Sequence, residues 1–207
     1  MAASLDAVAV RNLARQAEGM ADLVYSTQCS LDLRLADEHG DFSWAFPADD
    51  VHRHANALAA AAGTHVLGRR TYEVMGYWDE VDDDASEVAQ EFQRAWAPAE
   101  KIVISRSLDE DALGPNARIV REFDPASIRE LTRSGSADVT IGGAELGGQA
   151  LAAGIVDVLD LVLFPVIVGN GPRVIADGVR VQLELESEQR FASGPVGLRY
   201  RVLPPVG

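Results

Sequence analysis

"DVTIGGAELGGQALAAG", residues 138–154, is the stretch on which the fold turns. Val139-Thr140-Ile141 is a β-type run, and the small residues after it follow a helical pattern. Gly142 and Gly143 sit at the junction. Strand, glycine turn and helix together form the repeating unit of an α/β sheet. The two glycines have two readings at this point: a backbone that approaches a ligand phosphate, or a tight turn that only packs well.

Two other segments share the plan. "HVLGRRTYE" (65–73) and "KIVISRS" (101–107) each put a short apolar run ahead of a turn with glycine or arginine. Ligands of α/β sheets bind beyond the carboxyl ends of strands, where helix N-termini offer free N–H groups and partial positive charge. Gly68, Gly142 and Gly143 leave room for a ligand, and Arg69, Arg70 and Arg106 supply charge-assisted contacts to phosphate. Each segment alone is more often a plain turn or a solvated helix start. The three together point to a phosphorylated ligand.

The rest of the chain alternates in the same way. Strands are expected at about 22–28, 64–68, 101–105, in "ARIV" (117–120), at 138–142 and over the long apolar run 156–169. Helices are expected at about 49–62, from Arg69, at 85–97 with Asp84 or Ser86 as cap and Pro98 as stop, at 124–135, and from Ala144. "RVQLELESEQRF" and "VGLRYRVL" close the chain as a hairpin through "ASGP". The expected class is α/β, with a largely parallel sheet and an antiparallel C-terminal edge. Residues 1–20 read as an N-terminal extension, amphipathic or disordered, ahead of one domain over 21–207.

Composition narrows the function. Hydrophobic residues make up 47% of the 207, enough for a core. A formal net charge of −14 argues against nucleic acid and anionic membrane surfaces. The most apolar stretch, 155–169, is interrupted by Asp157, Asp160 and Pro165, so no membrane span is expected. The start lacks the pattern of a secretory signal, and Cys29 is the single cysteine, so the expected location is the cytoplasm.

The usual catalytic and nucleotide signatures are missing. There is no GxxxxGK[ST], "GNG" (169–171) lacks the further glycine of a dinucleotide fingerprint, and no serine lies in GxSxG. His52 and His54 stand two apart on a helix and face different ways, so no metal site is expected. Asp32, just past the first strand, and Asp49-Asp50, at the first helix start, are the acidic candidates, with turn residue and helix cap as their plain roles.

These residues carry a resemblance. "VYSTQCSLD" (24–32), "DFSWAFP" (41–47), "LGRRTYEVMGYW" (67–78), "KIVISRSL" (101–108) and 138–171 resemble, in order, the dihydrofolate reductase-like superfamily. They are most similar to stand-alone proteins that resemble the C-terminal reductase domain of the bifunctional riboflavin-biosynthesis deaminase-reductase. The resemblance implies an eight-stranded, mostly parallel sheet, an NADPH-dependent reductase acting on a small heterocyclic or carbonyl substrate, and a homodimer. Gly68, Arg69, Arg70 and Thr71 then resemble the segment for the pyrophosphate and adenosine end. Ser105 and Arg106 resemble that for the 2′-phosphate. Gly142, Gly143, Glu145 and Leu146 resemble a second dinucleotide turn, where the family often has a cis Gly-Gly peptide. Ala36 resembles a residue near the nicotinamide, and Asp49 or Asp50 the acidic residue that meets the substrate.

One position departs from the pattern. Relatives read "SLDG" where this chain reads "SLDLR", with Leu33 at the glycine. Leucine disfavours the positive φ that glycine permits, so a reshaped loop is expected there. The same departure favours a second reading, a non-catalytic dinucleotide-binding or structural dimer. The deaminase zinc signature is absent, so the bifunctional enzyme is excluded.

Overall fold

The computed structural model describes residues 21–82 and 84–204. The expected extension over 1–20 lies outside the described residues. Eight strands form one sheet in the order β4-β3-β2-β5-β1-β6-β8-β7. They are β1 (Leu23–Ser30), β2 (Ala62–Gly68), β3 (Glu100–Ile104), β4 (Ala117–Val120), β5 (Asp138–Gly142), β6 (Val158–Phe164), β7 (Gln182–Arg190) and β8 (Val196–Leu203). β1 to β6 are parallel, whereas β8 pairs antiparallel with β6 and β7 antiparallel with β8.

Among the described residues five α-helices flank the sheet: α1 (Asp49–Ala61), α2 (Arg69–Met75), α3 (Glu87–Trp96), α4 (Pro125–Ser134) and α5 (Ala144–Ala152). Their ends follow local chemistry. The Ser86 hydroxyl caps α3 by accepting from the Ala89 N–H at 3.3 Å. Asp124 caps α4 through the Ala126 and Ser127 N–H groups, and Pro125, which lacks an N–H, occupies the first helical position at no cost. Alternation along the strands sends side chains to both faces. Val66, Ile102, Val139 and Leu159 pack on Ile128, Leu146 and Leu151 of α4 and α5, while Leu67 and Val103 pack on Ala59, Phe92 and Trp96 of α1 and α3.

Two expectations of length change. β1 runs to Ser30, because β6 pairs with it over its whole length. β6 itself stops at Phe164 rather than continuing to 169, since Pro165 cannot donate to a ladder. Residues 165–174 leave the sheet as a loop instead. Within α5, Gly147 is a packing residue: a Cβ there would come 2.2 Å from the ring of Tyr25, which is buried and donates its hydroxyl to the Val174 carbonyl at 2.9 Å.

Candidate active site

The sheet opens where β1 and β5 part. They pair only through Leu23–Tyr25 and Val139–Ile141, after which β5 turns away at Gly142 and β1 continues beside β6. Ser26, Thr27 and Gln28 are therefore half-buried although they belong to an interior strand. A cleft at this point lies among the carboxyl ends of β1, β2, β3 and β5.

One wall is built from three turns. Gly68 precedes α2, and a Cβ there would meet nothing within 4 Å, which leaves the backbone open to a ligand. Thr71, in the first turn of α2, abuts the glycine pair: a Cβ on Gly143 would lie 2.8 Å from its hydroxyl. Arg69 reaches the third turn, donating from Nη1 to the Ser107 hydroxyl at 3.1 Å, and also faces Glu73 at 3.4 Å. Arg70 and Arg106 are exposed, and neither makes an ion pair among the described residues. The structure thus gathers Gly68, Arg69, Thr71, Gly142 and Gly143 along one side of the cleft, with Arg70 and Arg106 at its rim.

Other residues of the predicted set serve the frame. The Ser105 hydroxyl is buried and accepts from the N–H groups of Ser107 and Leu108, while its carbonyl accepts from Arg121. Its side chain shapes the turn that carries Arg106. The Leu146 side chain is part of the core, so only its backbone is offered to the turn. Glu145 is exposed on α5. No peptide among the described residues is cis; the Gly142-Gly143 turn is made by Gly143 at φ +95°.

The opposite wall is two loops bound to each other. The Leu31 N–H donates to the Val166 carbonyl, Leu35 N–H to Pro172, and Val174 N–H to Leu33, all within 2.8–3.0 Å. Arg34 Nη1 adds a bond to the Gly171 carbonyl at 2.8 Å. Ala36 is buried in this seam: its carbonyl oxygen lies so near Gly171 that a Cβ there would clash at 2.1 Å. Leu33 takes a positive φ of +58°, the backbone state that a leucine disfavours. Its N–H and carbonyl are both bonded and its side chain packs on the core, which offsets the roughly 1–2 kcal/mol cost of that backbone state.

Two of the three acidic candidates also hold structure. Asp32 accepts from the Ser30 hydroxyl at 2.7 Å and from the N–H groups of Val168 and Gly169 at 3.0 and 2.8 Å. The Ser30 bond first, then the Val168 bond, holds its carboxyl down at about 2, so it is an ionised clamp and a poor proton donor at neutral pH. Asp50 accepts from the hydroxyl and N–H of Ser193, which ties α1 to the β7–β8 turn and holds its carboxyl below the usual range. Asp49 is exposed at the start of α1, without a side-chain bond among the described residues.

A pair that the sequence reading passes over lies inside. His54 Nε2 of α1 is 2.9 Å from Asp160 Oδ1 of β6, and Arg199 Nη1 donates to Asp160 Oδ2 at 3.2 Å. Asp160 is 1% exposed. Its signal in the sequence is an acidic residue in the most apolar run of the chain.

The comparisons with known proteins agree with this architecture. The family model of the RibD C-terminal domain matches residues 21–196. The chain belongs to that family. It is a reductase family with a dihydrofolate reductase-like fold. The uncharacterized protein YyaP of Bacillus subtilis is 23% identical to the chain over 183 residues, covering 86% of the chain and 93% of YyaP. Among solved structures, a putative riboflavin biosynthesis protein from Shewanella sp. PV-4 superposes with TM-score 0.70 at 18% identity, over 88% of the chain and 99% of the neighbour. A pyrimidine reductase-like protein of Corynebacterium diphtheriae gives 0.60 at 16%, over 89% and 93%. RibD of Acinetobacter baumannii gives 0.64 at 15%, over 92% of the chain and 60% of RibD. No described helix is long and apolar enough to cross a membrane.

Proposed function

We propose that this RibD C-terminal domain protein is an NADPH-dependent reductase of a small heterocyclic or carbonyl compound. The supporting observation is the wall of three turns: an open glycine backbone at Gly68, the Thr71–Gly143 contact, and exposed arginines at positions 70 and 106. These residues suit an extended, multiply anionic ligand. Gly68 to Thr71 would hold the pyrophosphate side, Arg106 the 2′-phosphate, and Gly142-Gly143 the turn beside the ribose and ring. When bound, the nicotinamide supplies the hydride, and the protein orients it. Asp49 or Asp50 would hydrogen-bond the substrate, Asp50 only after giving up Ser193.

The positive φ at Leu33 favours the catalytic reading, because the loop beside the cleft takes the backbone state that glycine adopts readily. The test is a fluorescence titration with NADPH and NADH side by side. Micromolar NADPH binding with NADH at least tenfold weaker is expected; no binding of either below millimolar concentration would defeat the proposal. A homodimer is proposed as well, supported by Leu183, Leu185 and Val196 exposed on the edge hairpin. A monomeric mass by light scattering would remove that part.

A further inference from the structure

The loop that leaves β6, residues 165–174, carries the pair Asn170-Gly171. It is bound on both sides of that pair. The N–H groups of Val168 and Gly169 donate to the Asp32 carboxylate, the Gly171 carbonyl accepts from Arg34 Nη1, and the Pro172 carbonyl accepts from the Leu35 N–H. Asn170 itself is exposed. Neither its side-chain amide nor the Gly171 N–H makes a hydrogen bond among the described residues.

Glycine is required at position 171. Its φ is +126°, a backbone state that residues with side chains rarely adopt. A Cβ there would also run into the Ala36 carbonyl oxygen and the backbone of Asp37. The fold thus sets an asparagine ahead of a residue that must lack a side chain. The backbone nitrogen after an asparagine can attack the side-chain amide, and its approach is least hindered when that nitrogen belongs to glycine.

The other described asparagines lack this setting. Asn56 is buried in α1, its Nδ2 donates to the Val88 carbonyl at 2.9 Å, and Ala57 follows it. Asn116 donates from Nδ2 to the Ala97 carbonyl at 3.0 Å, and Ala117 follows it at the start of β4. Asp177 also precedes a glycine, but its carboxylate is ion-paired with Arg173 at 2.7 Å, and a carboxylate is a poorer electrophile than an amide.

We propose that Asn170 is a site of spontaneous deamidation, and that the isoaspartate formed there unfastens the seam between the two loops. The Gly171 nitrogen gives up its proton to water or hydroxide, attacks Cγ of Asn170 and forms an N–Cγ bond. The bond from Cγ to the side-chain nitrogen breaks, and that nitrogen takes up a proton and leaves as ammonia. Water opens the resulting succinimide at either carbonyl, to aspartate or isoaspartate, with no change of oxidation state. Isoaspartate inserts one more methylene into the main chain ahead of Gly171. It also sets a carboxylate next to Gly169, whose N–H already serves Asp32. The seam has no room for a displaced Gly171, so the bonds from Arg34 and Leu35 to Gly171 and Pro172 are the ones lost. The modified chain is a substrate for an enzyme that methylates isoaspartyl carboxylates. No step involves a cofactor, so the chemistry stands apart from the reductase reading.

The test incubates the full chain in mildly alkaline buffer beside a synthetic peptide of residues 166–174, with peptide mapping by mass spectrometry. Asn170 is expected to lose its amide in the folded chain on the time scale of the peptide, while Asn56 and Asn116 keep theirs. Methyl transfer from S-adenosylmethionine by a purified isoaspartyl methyltransferase should label the aged wild type and fall to background in aged Asn170→Ala. The aged wild type should melt roughly 2–4 °C below the fresh protein, as loss of one hydrogen bond gives in a chain of this size. Asn170→Asp, with the charge but not the extra methylene, should melt closer to the fresh protein, and Asn170→Ala should not change with age. An Asn170 that stays intact in the folded chain while the peptide is converted would overturn the site. Isoaspartate at position 170 with an unchanged melting temperature would overturn its effect on the seam.

Discussion

The two walls of the cleft treat their polar groups in opposite ways. On the β2, β3 and β5 side, a turn follows each strand at once, and two of those turns feed a helix directly, so N–H groups and Arg70 and Arg106 are left facing outward. On the β1 and β6 side, each strand is followed by a long loop, and the loops satisfy each other, down to the Asp32 carboxylate on Val168 and Gly169. A charged residue just past a strand therefore has two fates. Beside a helix start it remains available to a ligand; beside a second loop it becomes the acceptor that loop requires.

The largest effect is expected where that division runs through a single helix. Gly147→Val should destabilise the protein by about 3 kcal/mol, as overpacking against a buried ring does, read as a fall in melting temperature. Gly143 belongs to the ligand wall; if Gly147→Val is tolerated, the packing role given to Gly147 is wrong. Next, Arg106→Ala should weaken NADPH binding at least tenfold, about 1.4 kcal/mol, and leave stability within about 0.5 kcal/mol. A large loss of stability with no loss of affinity would place Arg106 in the frame instead.

Asp32→Asn addresses the other wall and should lower the melting temperature at neutral pH. The sign follows from the depressed carboxyl: its folded value is about 2 against an ordinary 3.8, so its stabilisation is complete above the ordinary value and is lost as pH falls through about 2. The gap between variant and wild type should thus close between pH 4 and 2 in thermal melts. A gap that persists at pH 2 would show that the ionised clamp is not its cause. The smallest change belongs to Leu33→Gly. Relief of the positive φ is set against lost side-chain contact and added chain entropy, for a net change within about 1 kcal/mol in urea unfolding.

Much of the frame was legible in the residues. The strand–turn–helix order, the caps at Ser86 and Asp124 and the closing hairpin are local signals with local causes, and each appears within a few residues of its expected place. The turns at Gly68 and Gly142-Gly143 were legible for the same reason. Ser105 follows β3 and Leu146 lies in the first turn of α5, yet their side chains point to frame and core, which depends on what packs against them.

The sequence by itself determined the α/β class, the succession of elements and the three turns, because periodicity, glycine and capping residues act within a few positions of themselves. It did not determine which acids are free. Asp32 is consumed by N–H groups 136 and 137 residues away, Asp50 by a serine 143 residues away, and His54 meets Asp160 across 106 residues. Nothing local distinguishes a carboxylate left to solvent from one that a distant loop needs. Only the tertiary structure decided that, because the partners of these groups come from segments more than 100 residues away.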